Sequence, residues 1–270
     1  MSSELIAYAV YTYTRIISDH SKPHLAGLKE KEVRFCIEVI REKFAECKVI
    51  GRDFVRLLQD LTKIPQFADL WKDILQRPQS LSPQFTDLSQ LFACRTPQKF
   101  LRSRVTPDME RLLLFIMRKV PMGNQKKYQQ WFTQCHLSTQ ESESLVTDLI
   151  RYICGVYHPS NAVLNSNIVP RWAVIGWLLS IVKSSTNQAN TKLALFYDWF
   201  FYDPQIDNIM NIEPGMLLMI HSIPKYASFT AQLLEFILYV MDIYYPPGCE
   251  LIRKGVHNSL QIMLSKKVIL

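Results

Sequence analysis

Residues 33–47 read VRFCIEVIREKFAEC, and this stretch decides the fold class. Its apolar side chains recur three or four positions apart, which is the period of a helix with one buried face. They are Val33, Cys36, Ile37, Ile40, Phe44 and Cys47. The opposite face carries charged residues, and the same period returns at 109–120 and 145–156. No run alternates with the period of two that a strand shows, so the sequence predicts an all-α protein.

Fourteen helical segments with short turns between them are typical of stacked antiparallel helix pairs. We therefore expect an irregular, HEAT-like α-solenoid without the fixed period of a tight repeat array. No long linker interrupts the chain, so residues 1–270 are predicted to form a single helical-repeat domain. Residues 1–136 are the more amphipathic and basic half, and residues 137–270 are the more buried half. In the latter half, residues 233–244 are apolar nearly all round, and this helix is expected to be covered on two sides.

Three prolines follow a hydroxyl residue directly, at Ser82-Pro83, Thr96-Pro97 and Thr106-Pro107. A hydroxyl can accept a hydrogen bond from a free N–H at the start of a helix. Proline loses no hydrogen bond at the first helical position. Each pair therefore predicts the start of a helix.

The positive charge is concentrated in one segment. The whole chain carries a formal charge of +7, and residues 95–127 hold nine bases and two acids, which is itself +7. The nine bases are Arg95, Lys99, Arg102, Arg104, Arg111, Arg118, Lys119, Lys126 and Lys127. Lys and Arg on one face bind phosphates. The segment is a candidate surface for nucleic acid or an acidic protein, and the alternative is a solvated face without a ligand.

Aromatic residues are dense at 196–202, where six of seven side chains are aromatic. They cannot all face one buried stripe of a helix. Trp199, Phe200, Phe201 and Tyr202 are therefore a candidate aromatic interface. The alternative is burial of the helix between two neighbouring helices.

Two sets of residues could hold a metal ion, and each has a structural alternative. Cys154 and His158 are four apart on a predicted helix, or else Cys154 is simply buried. Asp198, Asp203, Asp207 and Glu213 could act as paired carboxylates, or else as caps and turn residues. With only 8 glycines and no phosphate-binding or hydrolase motif, we predict no enzyme, no cofactor and no metal.

The compartment follows from two features of the composition. The six cysteines show no C-x-x-C pair and are typical of thiols in a reducing compartment. The longest apolar run, residues 172–182, is too short for a bilayer, which needs about 20 residues. We therefore expect no membrane partner.

Seven collinear stretches carry a resemblance to a known family. They are CKVIGRDFVRLLQDLTKIPQFADLWKDIL (47–75), LSPQFT (81–86), RVTPDMERLLLFI (104–116), YICGVYHPSNAVL (152–164), VPRWAVIGWLL (169–179), KLALFYDWFFYDP (192–204) and IMNIEP (209–214). Together they resemble the Integrator complex subunit 3 family over essentially the whole chain.

The resemblance implies a nuclear, non-enzymatic scaffold with a helical-repeat N-terminal half. Such a subunit belongs to the RNA polymerase II-associated Integrator complex, which processes small nuclear RNA 3′ ends. In the SOSS complex of the DNA-damage response it holds an OB-fold single-stranded-DNA-binding protein and a small third subunit. The implied partners are these two proteins and other Integrator subunits. Nucleic acid is then contacted chiefly by the OB-fold partner.

Family members are several times longer than this chain. The chain is expected to be a fragment of the N-terminal half, with an upstream stretch and the C-terminal half absent. Two other hypotheses stay open beside the scaffold. The basic segment 95–127 binds nucleic acid directly, or the cluster from Asp198 to Glu213 serves a metal-dependent hydrolase.

Overall fold

The computed structural model describes residues 3–268. Within them the regular structure is helical, with one isolated β-bridge between Pro121 and Ile168 and no strand. The prediction of an all-α protein is confirmed. Contacts among these residues divide the chain between Ser103 and Arg104 into two compact units. That residues 1–270 form a single domain, with one half at 1–136 and the other at 137–270, stays a prediction.

Unit 1 contains seven α-helices among its described residues: α1 Ser3–Ile16, α2 Ala26–Glu42, α3 Phe44–Cys47, α4 Arg52–Asp60, α5 Pro65–Gln76, α6 Ser89–Phe92 and α7 Gln98–Leu101. Helix α1 packs against α2, α3, α4 and α7, while α5 contacts α2 and α4. The apolar stripe of residues 33–47 lies in this core, because Val33, Cys36, Ile40, Phe44 and Cys47 are all buried. Ile37 is partly exposed.

Unit 2 contains eight α-helices among its described residues: α8 Pro107–Lys119, α9 Lys126–His136, α10 Leu145–Gly155, α11 Asn161–Leu164, α12 Arg171–Ile181, α13 Ser185–Phe200, α14 Glu213–Ile243 and α15 Cys249–Ser265. Helix α10 contacts α12 and α13, and every one of its residues is buried. Helix α13 in turn contacts α14 and α15. The unit therefore has α10 and α13 at its centre.

Helix α14 is kinked inside its span. Tyr226 has φ −138° and ψ 48°, outside the helical region, two residues after Pro224. Proline removes a helical hydrogen bond and clashes with the preceding turn, so a kink is expected at this point. In the second half of α14, residues 233–243, one side of the helix is buried, and this side carries Leu233, Ile237 and Val240. Its other side is exposed, so the prediction that this helix is covered on two sides is wrong for the described chain.

Candidate functional site

The hairpin of α8 and α9 is built by local signals. The Thr106 hydroxyl accepts a hydrogen bond from Met109 N at 3.3 Å, and Pro107 is the first helical residue. Helix α8 ends at Lys119. At the next residue, the Val120 carbonyl oxygen accepts a hydrogen bond from Val169 N at 2.9 Å. Helix α9 then begins at Lys126. The hairpin thus presents the end of one helix beside the start of the next.

The nine candidate bases are divided between the two units. Arg95, Lys99 and Arg102 belong to unit 1. The other six belong to unit 2: Arg104, Arg111, Arg118, Lys119, Lys126 and Lys127. Segment 95–127 is continuous in sequence, but its charges are divided between two compact units.

Three of the bases pair with carboxylates of the same unit. Lys99 forms an ion pair with Glu4, and its hydrogen bond lowers the pKa of that carboxyl. Arg104 Nη1 lies 3.1 Å from Asp148 Oδ2 and is half-buried. Arg111 pairs with Asp108 within α8. The charges of these three bases are neutralised by carboxylates of the chain, which leaves less charge for a partner.

Four bases at the turn of the hairpin have no such carboxylate. Arg118, Lys119, Lys126 and Lys127 are exposed, and none forms an ion pair within residues 3–268. Arg118 lies over the Tyr157 ring, at 5.3 Å from its centroid. Their positive charges are thus available to an external anion.

Three aromatic rings lie on the same hairpin, and sequence reasoning did not select them. Phe115 and Trp131 are 41% and 54% exposed, while Tyr128 is half-buried. The Phe115 and Tyr128 rings meet edge to face at 5.3 Å, and Lys127 Nζ lies 4.8 Å from the Tyr128 centroid. The signal in the sequence was the helical spacing of Lys127, Tyr128 and Trp131.

We call these seven residues the hairpin surface: Phe115, Arg118, Lys119, Lys126, Lys127, Tyr128 and Trp131. A hollow of about 440 Å³ lies within it, with Phe115, Lys119, Lys127 and Tyr128 on its wall. The surface combines free cations with exposed rings, which is chemistry suited to a polyanion that has flat apolar groups.

The prediction of an aromatic interface at 199–202 is wrong, because these side chains are buried. Trp199, Phe200, Phe201 and Tyr202 are 1%, 0%, 5% and 3% exposed. The Trp199 indole N–H donates to Ile212 O at 3.0 Å. Helix α13 contacts α10, α14 and α15, so rings on several of its faces are enclosed. These four residues belong to the core of unit 2 and not to a surface.

The acidic residues between Asp198 and Glu213 form ion pairs and hydrogen bonds within unit 2. Asp198 pairs with Arg151 at 2.9 Å, and Glu213 pairs with Arg171 at 2.6 Å. The Asp207 carboxylate accepts a hydrogen bond from Asp203 N at 2.9 Å, as a turn residue does. No group of three or more His, Cys, Asp and Glu side chains within residues 3–268 is arranged to hold a metal ion.

Cys154 and His158 also have structural roles. Burial raises the pKa of the Cys154 thiol to about 12. The His158 ring nitrogen Nε2 lies 3.3 Å from the carbonyl oxygen of Cys154, one helical turn back. The geometry therefore favours the buried-thiol alternative over a pair of metal ligands.

A pocket of about 590 Å³ lies between α12 and α14, next to the kink. Its wall includes Trp172, Trp177, Tyr226 and Phe229. The Trp172 ring stacks on the His221 ring at 4.4 Å. The lining is mainly apolar and aromatic, which suits the insertion of an apolar side chain.

The exposed side of the second half of α14 carries four large apolar side chains. Leu234, Leu238, Tyr239 and Ile243 are 48%, 60%, 63% and 48% exposed. We call these four residues the α14 face. A group of large apolar side chains in water is typical of a protein-binding surface. Among the described residues, no helix is both long enough and apolar enough to cross a membrane.

A family profile described as "Integrator complex subunit 3 N-terminal" matches residues 1–270. The chain belongs to the Integrator complex subunit 3 family. Proteins of that name from Mus musculus and Homo sapiens are each 54% identical over 269 residues, and the Danio rerio protein is 52% identical over 268 residues.

The resemblance of this chain to the Integrator complex subunit 3 family is thereby confirmed. The matches cover 99% of this chain and 26% of each of these relatives. The chain thus spans about a quarter of the length of these curated Integrator subunit 3 proteins.

Proposed function

We propose that this chain is a non-enzymatic nuclear scaffold and part of an Integrator subunit that takes part in small nuclear RNA 3′ processing. In the SOSS complex of DNA repair it docks an OB-fold single-stranded-DNA-binding protein. The small third SOSS subunit and other Integrator subunits are its further partners. Family membership and the names of the relatives support the Integrator part of this proposal.

The observation that carries the proposal is the unpartnered α14 face. Fully burying a leucine or isoleucine side chain contributes about 1.5–3 kcal/mol relative to leaving it in water. Leu234, Leu238 and Ile243 are about half exposed or more, so a partner that covers them gains part of this free energy. A scaffold needs such a face, whereas the chain itself does not need it to fold.

The pocket between α12 and α14 supports docking in a second way. It lies in the same unit and is walled by Trp172, Trp177 and Tyr226. Concave apolar sites of this kind accept the anchor residue that often dominates the energy of an interface. Exposed apolar side chains together with a pocket are a common combination at protein interfaces.

The scaffold is proposed to be a HEAT-like α-solenoid. In unit 2, α12 contacts both α10 and α14, and α14 contacts α15. Contacts between every second helix, as in α10–α12 and α12–α14, are consistent with stacked pairs. Stacked pairs expose long helix faces, on which partner proteins bind.

The non-enzymatic role is supported by how the reactive groups are used. Asp198 and Glu213 are held in ion pairs with arginines, and the Cys154 thiol is buried. A catalytic group must reach its substrate. These residues instead contribute to the packing of unit 2.

The test is binding of the purified chain to the OB-fold protein, measured by gel filtration and calorimetry, with and without the small third subunit. We expect a stable complex. The double variant L234E/L238E is expected to weaken it at least tenfold, because two charges would be buried against the partner. The matched control is L164E, which changes a 46% exposed leucine elsewhere in unit 2.

Two results would contradict the proposal. If the unmodified chain forms no complex, this quarter of the family protein is not the docking segment. If L164E weakens binding as much as L234E/L238E, the α14 face is not the surface involved. Circular dichroism of each variant checks that the helices are intact.

A further inference from the structure

The hairpin surface lies in a stretch of the chain without acidic residues. No Asp or Glu occurs between Arg111 and Gln140, a run of 30 residues that holds five Lys and Arg side chains. The acids that precede it are engaged, since Asp108 pairs with Arg111 and Glu110 accepts a hydrogen bond from Tyr152. The positive potential at the turn of the hairpin is therefore not neutralised by neighbouring residues of the sequence.

The start of α9 places positive charge where a helix disfavours it. Lys126 and Lys127 are its first two residues, and its first turn contains no acid. The helix dipole is positive at this end, so a lysine there is electrostatically unfavourable for the helix. An external anion bound at this end would offset the repulsion between these two lysines and the helix dipole.

The exposed Trp131 ring is not needed for packing α9 against the rest of the unit. Phe132 supplies the buried ring of α9 at 0% exposure, while its neighbour Trp131 is 54% exposed. Trp131 follows Lys127 by four positions, so the two side chains share one side of the helix. An indole beside a lysine can stack with a flat ring while the ammonium group contacts a phosphate.

We propose that the hairpin surface binds single-stranded nucleic acid directly. Arg118, Lys119, Lys126 and Lys127 contact phosphates, and Trp131 and Phe115 stack with unpaired bases. This inference does not rest on the docking function proposed above, which assigns nucleic acid to the OB-fold partner. It also narrows the binding hypothesis for segment 95–127 to four cations in unit 2.

An acidic peptide and a nucleic acid both suit the positive charge, and the aromatic rings favour the nucleic acid. An acidic peptide needs cations alone, whereas an unpaired base adds a flat surface that stacks on tryptophan. A duplex keeps its bases stacked on each other and offers only its phosphates to this hairpin. Single-stranded nucleic acid is thus the ligand that uses both halves of the surface.

The test is fluorescence anisotropy of the whole chain with a fluorescein-labelled, unstructured 20-nucleotide RNA and the DNA of the same sequence. Four phosphate contacts predict that log K falls with log salt with a slope of about −3 for a single strand. The double variant K126E/K127E is expected to reduce affinity at least tenfold at low salt. The control K254E/K266E makes the same change of charge on or next to α15, where both lysines are exposed.

Stacking is tested separately from charge. W131A is expected to reduce affinity about 5- to 100-fold with the salt slope unchanged, and W131F should recover part of the loss. Since Trp131 is exposed, both variants are expected to fold, and circular dichroism verifies this.

Several outcomes would overturn the proposal. They are an affinity too weak to measure at 50 mM salt, an equal loss in K254E/K266E, and an unchanged affinity in W131A. A duplex or a poly-glutamate peptide of equal charge that competes as well as the single strand would also overturn it. Competition by the poly-glutamate peptide would identify the surface as a site for an acidic protein.

Discussion

Arg151 on α10 and Asp198 on α13 form an ion pair in the core of unit 2, with Nη1 and Oδ2 separated by 2.9 Å and each side chain 2% exposed. A second arginine nitrogen lies 3.4 Å from Oδ1, and Asn211 Nδ2 lies 3.5 Å from Oδ2. The guanidinium also lies over the Tyr197 ring at 5.6 Å. The charges are thus paired between the two central helices.

Removing one partner of this pair leaves the other charge buried and unpaired, which costs about 3–5 kcal/mol. We therefore expect R151M and D198N each to lower the free energy of unfolding by about that amount, as measured by urea denaturation. D69N is the control, because Asp69 and its partner Lys72 are both exposed. A loss below about 1 kcal/mol in D198N, equal to the control, would contradict this role.

Helix capping shows where a sequence suffices and where it does not. Thr106 caps its own helix as predicted, because donor and acceptor are three residues apart. The Thr96 hydroxyl instead accepts from Asp53 N at 3.0 Å and so caps α4, a contact 43 residues away in sequence. At Ser82 no helix begins, and α6 starts at Ser89 with the help of Asp87. A local rule cannot anticipate partners that tertiary contacts supply.

Only the cations of the candidate site could be predicted from the sequence, because the exposure of the aromatic rings depends on tertiary contacts. Charge counting located Arg118, Lys119, Lys126 and Lys127, since charged side chains are exposed almost regardless of the fold. Aromatic side chains give no such guarantee. The dense run at 199–202 is buried, whereas Trp131 is exposed beside the buried Phe132. Which ring faces water depends on neighbouring helices that the sequence pattern of one helix does not specify.

Gly51 has a conformation and a contact that exclude a side chain. Its φ of 75° and ψ of −151° lie in a region that is essentially restricted to glycine. An added Cβ would lie 2.4 Å from Cys94 O, the same carbonyl that accepts a hydrogen bond from Arg52 N at 2.9 Å. We expect G51A to lower the free energy of unfolding by about 3 kcal/mol, from strain and clash together.

The control for that variant is G123A. Gly123 also has a positive φ, of 99°, but a Cβ there would meet nothing within 4 Å. Chemical denaturation of both variants separates the strain of a positive φ from the clash with the carbonyl. Equal losses in the two variants would show that the contact with Cys94 contributes nothing.

Asp73 on α5 connects unit 1 stability to pH. Hydrogen bonds from Arg41, at 2.8 Å, and from Arg77 lower the pKa of this carboxyl from its ordinary value of 3.8. A lowered pKa in the folded state stabilises the fold above the unfolded pKa of about 4. This stabilisation is lost as the pH falls through the lower, folded pKa.

We therefore expect D73N to be less stable than the unmodified chain at pH 7, and the difference to shrink toward pH 3. Thermal unfolding monitored by circular dichroism measures it. The exposed D69N variant should show little difference at either pH, because exposed pairs contribute about 0–1 kcal/mol. A D73N difference that is the same at pH 7 and pH 3 would contradict the role of its ionised form.

The six cysteines are expected to fall into classes of reactivity. Burial raises the pKa of the thiols of Cys36, Cys47 and Cys154 to about 12. Cys94 and Cys135 are exposed. Because the thiolate is the reacting form, the buried thiols have neither the charge nor the access to react.

In a titration with a thiol-specific disulfide reagent at pH 8, Cys94 and Cys135 should react fast and the three buried thiols only after addition of guanidinium. The partly exposed Cys249 should react at an intermediate rate. C94S and C135S should each remove one fast-reacting equivalent without changing the slow class. If Cys154 is modified in the folded protein, as mass spectrometry would detect, then α10 is not the buried centre of unit 2.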